Sequence, residues 1–333
     1  MTRYDRQIQY PHFGMDGQRQ LQQLRVIVMG VGALGSGVAE QLVRSGVGHI
    51  TLVDKDIVTL SNLHRQSGYI EKDAEAMLPK VIALQRHLQA MNQEVEVIAR
   101  NQEITPQNIL AILEEAKPDI VLDGMDTFDM RYLLNEATRK LSIPYIYGAV
   151  VGSQVSILPI HNDGPCLQCI LPEVPETMER CEINGVLPPA VHIACSLMVA
   201  EVFRYIMHGT LTSQMMSIDI YRGKMRTVDI SALKEEDCMV CARQQYQRLG
   251  HMHVDRVRAL CGGAFQFRLA PHYFQAPLQP QVTVTVANAY VKRLMYQGYE
   301  MTLYQDGRIL IYGAATVDEA ESLCQQLFIV VPD

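Results

Sequence analysis

The sequence predicts an α/β fold: a doubly wound, Rossmann-like and mostly parallel sheet with helices on both faces, followed by a small C-terminal α+β appendage. Short apolar runs over 26–29, before Asp54 and over 119–123 are typical of buried parallel strands. Segments of helical periodicity separate these runs, and such strand–helix alternation is typical of a parallel sheet. The composition changes after the last closely spaced cysteine pair, which predicts domains over 1–245 and 246–333.

A glycine motif follows the first predicted strand. Gly30, Gly32 and Gly35 form G-x-G-x-x-G between the strand over 26–29 and a helical pattern over 34–43. Glycines let the backbone approach a phosphate, and the helix N-terminus attracts negative charge. Asp54 ends the second strand, where it can accept ribose hydroxyls. The stretch therefore predicts a nucleotide site, and taken alone it permits an NAD-dependent dehydrogenase.

The remaining elements are predicted in order from apolar spacing and turn residues. In the first domain these are a short helix over 18–24, a helix over 79–91, a strand over 94–99, a helix opened by Pro106, two strands over 145–160 and a helix over 190–207. In the second domain they are strands over 282–286, 299–304 and 308–312, a short helix over 290–296 and a last helix over 317–328.

Composition and charge exclude several classes of protein. The net charge of −7 argues against nucleic-acid binding, which needs clustered lysine and arginine. The N-terminus lacks the apolar core of a signal peptide, and no uninterrupted apolar run approaches the ~20 residues that span a bilayer. Eight cysteines in such a chain favour metal ligands, nucleophiles or buried thiols over disulfides. We therefore expect a cytoplasmic protein without membrane insertion.

Charged residues follow the strands at the edge where ligands bind in open α/β sheets. Arg65 and Lys80 are candidate phosphate ligands, because an arginine fork grips phosphate oxygens and lysine supplies a point charge. The alternative for each is an ordinary surface cation. Asp123 and Asp126 form a carboxylate pair suited to Mg²⁺ beside phosphates. Asp126 could equally cap the N-terminus of the helix that follows it.

The cysteines fall into pairs and single residues. Cys166 with Cys169 and Cys238 with Cys241 are two C-x-x-C pairs, a spacing that offers four thiolates to a structural Zn²⁺. A redox dithiol or unrelated buried thiols are the alternatives. Cys181 lies in a polar, proline-flanked stretch, so it is either incidental or an accessible nucleophile. We assign the other cysteines to packing: Cys195, Cys261 and Cys324.

An ordered set of motifs resembles one family. The set comprises Arg-Tyr-x-Arg-Gln at 3–7, the glycine motif at 30–35, Asp-x-Asp at 54–56, Ser-Asn-Leu-x-Arg-Gln at 61–66, Pro-Lys at 79–80, Asp-x-x-Asp at 123–126, Arg131 and both cysteine pairs. Over about residues 1–245 the chain looks like the ubiquitin-activating-enzyme-like adenylyltransferases of the ThiF/MoeB/HesA group. The tail resembles the extra C-terminal region of longer ThiF-like members and does not look like a rhodanese domain.

The resemblance implies ATP-dependent adenylation of the C-terminal glycine of a small ubiquitin-like sulfur carrier that ends in Gly-Gly, for thiamin or molybdopterin biosynthesis. It also implies a homodimer and a sulfur donor such as a cysteine desulfurase. By its motifs, the nucleotide site comprises the glycine motif with Asp54, Asp56, Asn62, Arg65, Lys80 and Asp126. Arg6 would reach the partner subunit's site, and Cys181 aligns with a loop cysteine that some members use covalently.

One departure from the family pattern is Thr127, which stands where the family usually has asparagine. A hydroxyl can still donate a hydrogen bond, so we expect rearranged contacts and retained activity. Two rival functions remain to be separated from adenylation. An NAD-dependent oxidoreductase would leave Arg65, Lys80 and the cysteine pairs unexplained, and a silent subunit that docks a ubiquitin-like partner would not need the phosphate ligands.

Overall fold

The architecture is that of a computed structural model, which describes residues 3–173, 185–250, 257–260 and 263–329. Contacts divide the chain into two compact units. The first comprises Met1–Glu71 and Pro79–Met252, and the second comprises Lys72–Leu78 and His253–Asp333. The short segment 72–78 thus belongs to a different unit from the residues on either side of it.

The first unit is built on an eight-stranded sheet. Its strands are β1 (Arg25–Met29), β2 (His49–Asp54), β3 (Glu96–Asn101), β4 (Ile120–Asp123), β5 (Tyr145–Val151), β6 (Gln154–Ile160), β7 (Gln214–Asp219) and β8 (Lys224–Asp229). The spatial order is β3-β2-β1-β4-β5-β6-β7-β8. Strands β3 to β5 in this order pair in parallel, and β6, β7 and β8 extend the sheet in antiparallel fashion.

The helices of the first unit connect these strands. They are α1 (Asp5–Ile8), α2 (Gly14–Gln23), α3 (Ala33–Ser45), α5 (Lys80–Met91), α6 (Ile109–Ala116), α7 (Phe128–Leu141), α8 (Leu167–Ile170), α9 (Pro188–His208) and α10 (Gln247–Gly250). Helix α4 (Glu71–Glu75) lies almost entirely in the segment assigned to the second unit. Short 3-10 turns occur at Leu60–Asn62 and Ser231–Leu233.

Helices cover both faces of the sheet, which confirms the doubly wound fold. Ile27 and Met29 of β1 are fully buried in a core cluster with residues of α6 and α7, including Leu113 and Leu133. The intervening Val28 points to the other face, because a Cβ placed on Gly35 of α3 would lie 2.9 Å from its side chain. A strand with both faces buried explains the apolar run without alternation.

Helix α9 packs against α3, β5 and β6 in the first unit. By length and composition it is apolar enough to cross a bilayer, because an 18-residue stretch within it has a mean hydropathy of 1.5. However, 50% of that stretch is buried inside the protein. Core helices can have the same length and apolar composition, so these two features are weak evidence for a membrane span. Fully buried residues such as Met198 and Val202 show its role in the core.

The N-terminal segment is packed, although its polar composition alone predicts a solvated arm. Tyr4 is buried, accepts a hydrogen bond from Asn92 Nδ2 at 2.8 Å and donates one to Glu94 at 3.2 Å. The ring of Tyr4 also fits against Gly46, whose φ of +88° ends α3. One aromatic side chain therefore anchors the segment, a contact that residue types near it do not reveal.

The second unit is an antiparallel sheet with a C-terminal helix, in agreement with the predicted α+β appendage. Its strands are β9 (Val257–Leu260), β10 (Ala264–Arg268), β11 (Thr283–Ala287), β12 (Val291–Tyr296), β13 (Tyr299–Tyr304) and β14 (Arg308–Tyr312), in the order β11-β12-β13-β14-β10-β9. A 3-10 turn spans Pro271–Phe274, and helix α11 spans Val317–Gln325. Buried Leu294, Met301, Ile309 and Leu323 form part of its core.

The predicted helix over 290–296 is wrong, because this segment is strand β12. It pairs with β11 on one side and with β13 on the other. The sequence there carries no proline or turn residue, and its apolar residues fit helical or strand spacing. Pairing on both sides decides the conformation, since strand propensity depends mainly on neighbouring strands.

Candidate active site

Three glycines create the close backbone contacts of the nucleotide loop. Gly30 follows β1 with a φ of +83°, a conformation that favours glycine. A Cβ on Gly35 would lie 1.9 Å from the carbonyl oxygen of Gly30, and one on Gly124 would lie 2.1 Å from the same atom. The loops after β1 and β4 therefore touch through bare backbone. Gly124 was not predicted from the sequence, although an Asp-Gly pair at a strand end is a turn signal.

Asp54 ties the tip of β2 to the glycine loop. Its carboxylate accepts hydrogen bonds of 2.8 Å from the backbone N–H of Val31 and of Asp56. Burial raises the pKa of Asp54, while the nearby charge of Lys80 opposes that rise. A carboxylate with one backbone donor on each oxygen keeps lone pairs for a ribose hydroxyl.

Lys80 lies near the carboxylates that the predicted site requires. Its Nζ atom lies 3.0 Å from Asp56 Oδ2, and its side chain is only 8% exposed. Burial lowers the pKa of Lys80, but attraction to Asp54 and Asp56 outweighs burial, so its pKa is raised. Asp126 adds to the same attraction. Lys80 is thus a nearly buried cation at neutral pH, surrounded by carboxylates from two strand ends.

The loop after β2 lies over the glycine motif. Tyr69 donates a buried hydrogen bond of 2.6 Å to the carbonyl oxygen of Val31. A Cβ on Gly32 would lie 3.8 Å from Gln66 Nε2. Between these contacts and β2, the amides of Arg65 and Gln66 bond to the carbonyl oxygen of Asn62. The structure therefore brings the Asn62–Arg65 turn to the glycine loop.

The side chains of this turn are partly exposed. The Nη1 atom of Arg65 donates to the carbonyl oxygen of Ser61 at 3.2 Å, and Asn62 Oδ1 accepts from Thr59 at 2.8 Å. Both contacts are local to the loop that follows β2. The sequence pattern assigned no individual role to Tyr69, which ties the loop after β2 to Val31, or to Gln66, which is buried beside Gly32.

Thr127, not Asp126, is the N-cap of α7. Thr127 has extended backbone angles there and makes no side-chain capping bond. The interpretation of Asp126 as a helix cap is therefore wrong, and its exposed carboxylate remains available on the side of Lys80. The residue that departs from the family pattern occupies the cap position.

A buried charged network supports the loop that carries Asp126. Arg131 donates to the carbonyl oxygens of Met125 at 2.8 Å and Gly148 at 3.1 Å, and to the hydroxyl of Tyr147 at 2.9 Å. Its Nε lies 3.6 Å from Asp123 Oδ2. Burial raises the pKa of Asp123, and Arg131 opposes this rise. The network explains the position of Arg131 and of Asp123, which lies inside the fold and is not exposed to a ligand.

Tyr145 completes this network and was missed in the sequence. Its hydroxyl donates to Asp123 Oδ2 at 2.6 Å, and both side chains are fully buried. Burial raises the pKa of the Tyr145 hydroxyl well above its usual value. It is therefore a neutral donor that satisfies the carboxylate. Nothing in a β-strand pattern distinguishes such a tyrosine from an ordinary core residue.

The four paired cysteines converge on one point of the first unit. Their Sγ atoms all lie within 4.8 Å of one another, and three of the residues are buried. The separations include 3.8 Å for Cys166–Cys169, 3.6 Å for Cys166–Cys238 and 3.4 Å for Cys169–Cys241. Thiolates at ~2.3 Å from a tetrahedral zinc ion lie about 3.8 Å apart. The cluster is therefore compatible with zinc, and the interpretation as unrelated thiols is wrong.

One predicted residue, Arg6, is not brought to the site within this chain. Arg6 is exposed and donates a hydrogen bond to Gln9 at 3.3 Å. Cys181 lies outside the described residues, so its role stays a prediction, as does the packing role of Cys261. Cys195 and Cys324 are buried free thiols, as predicted.

Comparisons with known proteins find a family and relatives for this chain. The model of the ThiF family matches residues 4–240. The sulfur carrier protein ThiS adenylyltransferase of Bacillus subtilis (strain 168) is 31% identical over 334 residues, covering 96% of this chain and 97% of that protein. The sulfur carrier protein adenylyltransferase of Thermus thermophilus is 33% identical over 258 residues, 74% of this chain and 93% of that protein.

A solved structure shows the same fold at lower identity. E. coli MccB superimposes with a TM-score of 0.62 and 22% identity, covering 72% of this chain and 75% of that chain. The family model covers the glycine loop, the lysine–carboxylate cluster and the first three cysteines of the four-cysteine cluster. On these matches, the chain belongs to the ThiF family.

Proposed function

We propose that this protein is an adenylyltransferase that uses ATP to activate the C-terminal glycine carboxylate of a small ubiquitin-like sulfur carrier. The observation that carries this proposal is the nearly buried Lys80 with Asp54, Asp56 and Asp126 beside the glycine loop. A dehydrogenase needs no buried lysine at this position. The names of the relatives from Bacillus subtilis and Thermus thermophilus support the same reaction.

The reaction needs little acid–base chemistry. An α-carboxyl group has a pKa of about 3.3–3.7, so the carrier's C-terminal carboxylate is already ionised at neutral pH. One of its oxygens attacks the α-phosphorus of ATP, the bond to the bridging α–β oxygen breaks, and pyrophosphate leaves with that electron pair. Lys80 and Arg65 supply positive charge where negative charge develops on the phosphate oxygens.

The glycine loop and the carboxylates divide the other tasks. The backbone of the loop at Gly30 and Gly32 approaches the phosphates, and Asp54 orients the ribose. Asp126, exposed and close to Lys80, is the residue that we assign to Mg²⁺ binding. When bound with ATP, this ion neutralises charge on the phosphates. Asn62 completes the site from the turn over the glycine loop.

The relative that aligns with nearly the whole chain supports one class of carrier. The Bacillus subtilis protein named as a ThiS adenylyltransferase aligns with 96% of this chain and therefore includes its C-terminal unit. The MOCS3 protein of Culex quinquefasciatus aligns with 73% of this chain and 55% of its own length. We therefore assign a ThiS-like carrier ending in Gly-Gly, used in thiamin biosynthesis, ahead of a MoaD-like one.

The remaining assignments concern assembly and location. We assign Arg6 to the nucleotide site of the partner subunit in a homodimer, because it is exposed and bonds only locally among the described residues. The four-cysteine cluster would hold Zn²⁺ as a closed structural site. Cys181 would act as a nucleophile toward the activated carrier, with a cysteine desulfurase or similar donor supplying sulfur. Free thiols at all described cysteines fit a reducing cytoplasm.

ATP–pyrophosphate exchange tests this function. We expect exchange only when a carrier ending in Gly-Gly is added, and none with the same carrier lacking its last glycine. Calorimetric titration should show binding of ATP with Mg²⁺ and no comparable binding of NAD. Preference for NAD would contradict the proposed reaction. Absence of exchange with both ThiS-like and MoaD-like carriers would favour a silent docking subunit.

A further inference from the structure

A segment of the second unit leads directly into the lysine of the proposed site. Residues Lys72–Leu78 group with His253–Asp333, whereas Glu71 and Pro79 belong to the first unit. The peptide bond between Leu78 and Pro79 therefore joins the two units. Lys80 follows one residue after that bond, at the first position of α5.

This segment has a constrained backbone. Met77 has a φ of +49°, which non-glycine residues rarely adopt, and its side chain is only 1% exposed. The amide of Leu78 donates to the carbonyl oxygen of Asp73 at 3.0 Å, closing the turn after α4. A buried methionine in the left-handed region needs surrounding contacts to hold it.

Asn288, in the turn between β11 and β12, supplies such contacts. Its Oδ1 atom accepts from the backbone N–H of Tyr290 at 2.7 Å and of Val291 at 2.9 Å. Two donors on the oxygen fix the orientation of the amide, which leaves Nδ2 pointing away from the turn. Nδ2 donates to the carbonyl oxygens of Ala76 at 2.8 Å and Met77 at 3.3 Å.

The two residues that follow Leu78 are held in place by backbone pairing and by a side-chain hydrogen bond. Pro79 pairs with Ile57 beyond the end of β2. The backbone N–H of Lys80 donates to the carbonyl oxygen of Asp56 at 2.8 Å, and Lys80 Nζ bonds to the Asp56 carboxylate. The amide of Asn288 therefore bonds a carbonyl that is three residues before the proposed phosphate ligand.

We propose that Asn288 is a positioning residue for Lys80, an inference that rests on the proposed adenylation. The C-terminal unit then has a task in catalysis: its β11–β12 turn fixes the backbone at Ala76 and Met77, and so fixes the start of α5. Asn288 acts through the backbone and does not touch the nucleotide.

The test compares Asn288→Asp with wild type. Aspartate keeps the acceptor for Tyr290 and Val291, but it replaces the donor with an oxygen facing two carbonyl oxygens. Gln305→Glu is the matched control, because it makes the same amide-to-carboxylate change at an exposed position of the same unit. Asn288→Ala serves as a second variant that removes the donor without adding charge.

Two measurements are made on each full-length variant. Hydrogen–deuterium exchange should speed up by about three- to ten-fold over 76–82 in both Asn288 variants, the range expected for losing one or two hydrogen bonds. The kcat/KM for ATP in carrier-dependent exchange should fall by a similar factor, whereas Gln305→Glu should match wild type. Peptides around Cys166 should exchange as in wild type.

The outcomes separate this inference from the proposed function. Unchanged deuterium uptake over 76–82, or full kcat/KM despite faster uptake there, would overturn the role of Asn288. A loss of activity accompanied by faster exchange throughout the chain would also overturn it, since that pattern indicates general unfolding. Wild-type protein without carrier-dependent exchange would contradict adenylation itself, and the deuterium measurement would still report whether Asn288 holds the segment.

Discussion

Replacing Lys80 with methionine removes the charge at the centre of the proposed site while keeping a side chain of similar length. Lys80 is 8% exposed and preorganised by Asp56 at 3.0 Å. Removing one preorganised group that stabilises transition-state charge costs a factor of about 10²–10³ in kcat, or roughly 2.7–4 kcal/mol. We expect Lys80→Met to lower the kcat of carrier-dependent exchange within that range.

The same substitution should also destabilise the fold moderately. Breaking a fully buried ion pair costs ~3–5 kcal/mol, but Asp56 is 49% exposed and solvent screens its charge. We therefore expect a loss of about 1–2 kcal/mol in the free energy of unfolding. Because the pKa of Lys80 is raised in the folded protein, its stabilising contribution is complete below the ordinary lysine pKa of ~10.4. It is lost only as pH rises through the higher folded value.

The assay combines exchange kinetics with urea unfolding at pH 7. Lys140→Met is the control, because Lys140 is exposed and contacts only the ring of Tyr246 at 6.0 Å among its described interactions. The control should keep wild-type kcat. A Lys80→Met enzyme within about three-fold of wild-type kcat would refute the assigned role, because that factor is far below the loss expected for a transition-state charge.

Four further substitutions test the shared site, the zinc cluster and the glycine loop. Arg6→Ala and Asp126→Ala should each abolish exchange, and mixing the two proteins should restore part of it through hybrid dimers; no recovery after subunit exchange would contradict a site shared between subunits. Cys166→Ser should lose the ~1 zinc per chain measured in wild type and lower the melting temperature, and an unchanged metal content would contradict the four-thiolate site. Gly124→Ala would place a Cβ 2.1 Å from a carbonyl oxygen of the glycine loop, so ATP binding should fall, whereas Gly250→Ala has no heavy atom within 4 Å and should bind normally.

Much of the fold could be predicted because burial on both faces produces a distinctive pattern. Strands β1, β2 and β4 are apolar runs in the sequence, and the glycine motif predicts the turn after β1. Strand β8 could not be recognised in this way, because its residues are exposed along its whole length. Its conformation comes from pairing with β7, which no local pattern encodes.

The candidate site likewise contains some residues that the sequence indicates and others that only the folded structure reveals. Lys80 and Asp126 carry charge and follow predicted strands, so residue type and position indicated them. Gly124 was not predicted, because its importance lies in a contact with Gly30, which is distant from it in the sequence. Tyr145 was missed for a similar reason, since its hydroxyl serves a carboxylate on the neighbouring strand. Contacts between loops and strands, rather than residue types, determine such roles.

Adenylation is tested most directly by the intact mass of a ThiS-like carrier after incubation with this protein, ATP and Mg²⁺. We expect a carrier heavier by one AMP group, attached at the C-terminal glycine, with pyrophosphate released in equal amount. Lys80→Met should produce far less of this adenylate in the same time. A carrier of unchanged mass, together with unconsumed ATP, would show that this protein does not adenylate such a carrier.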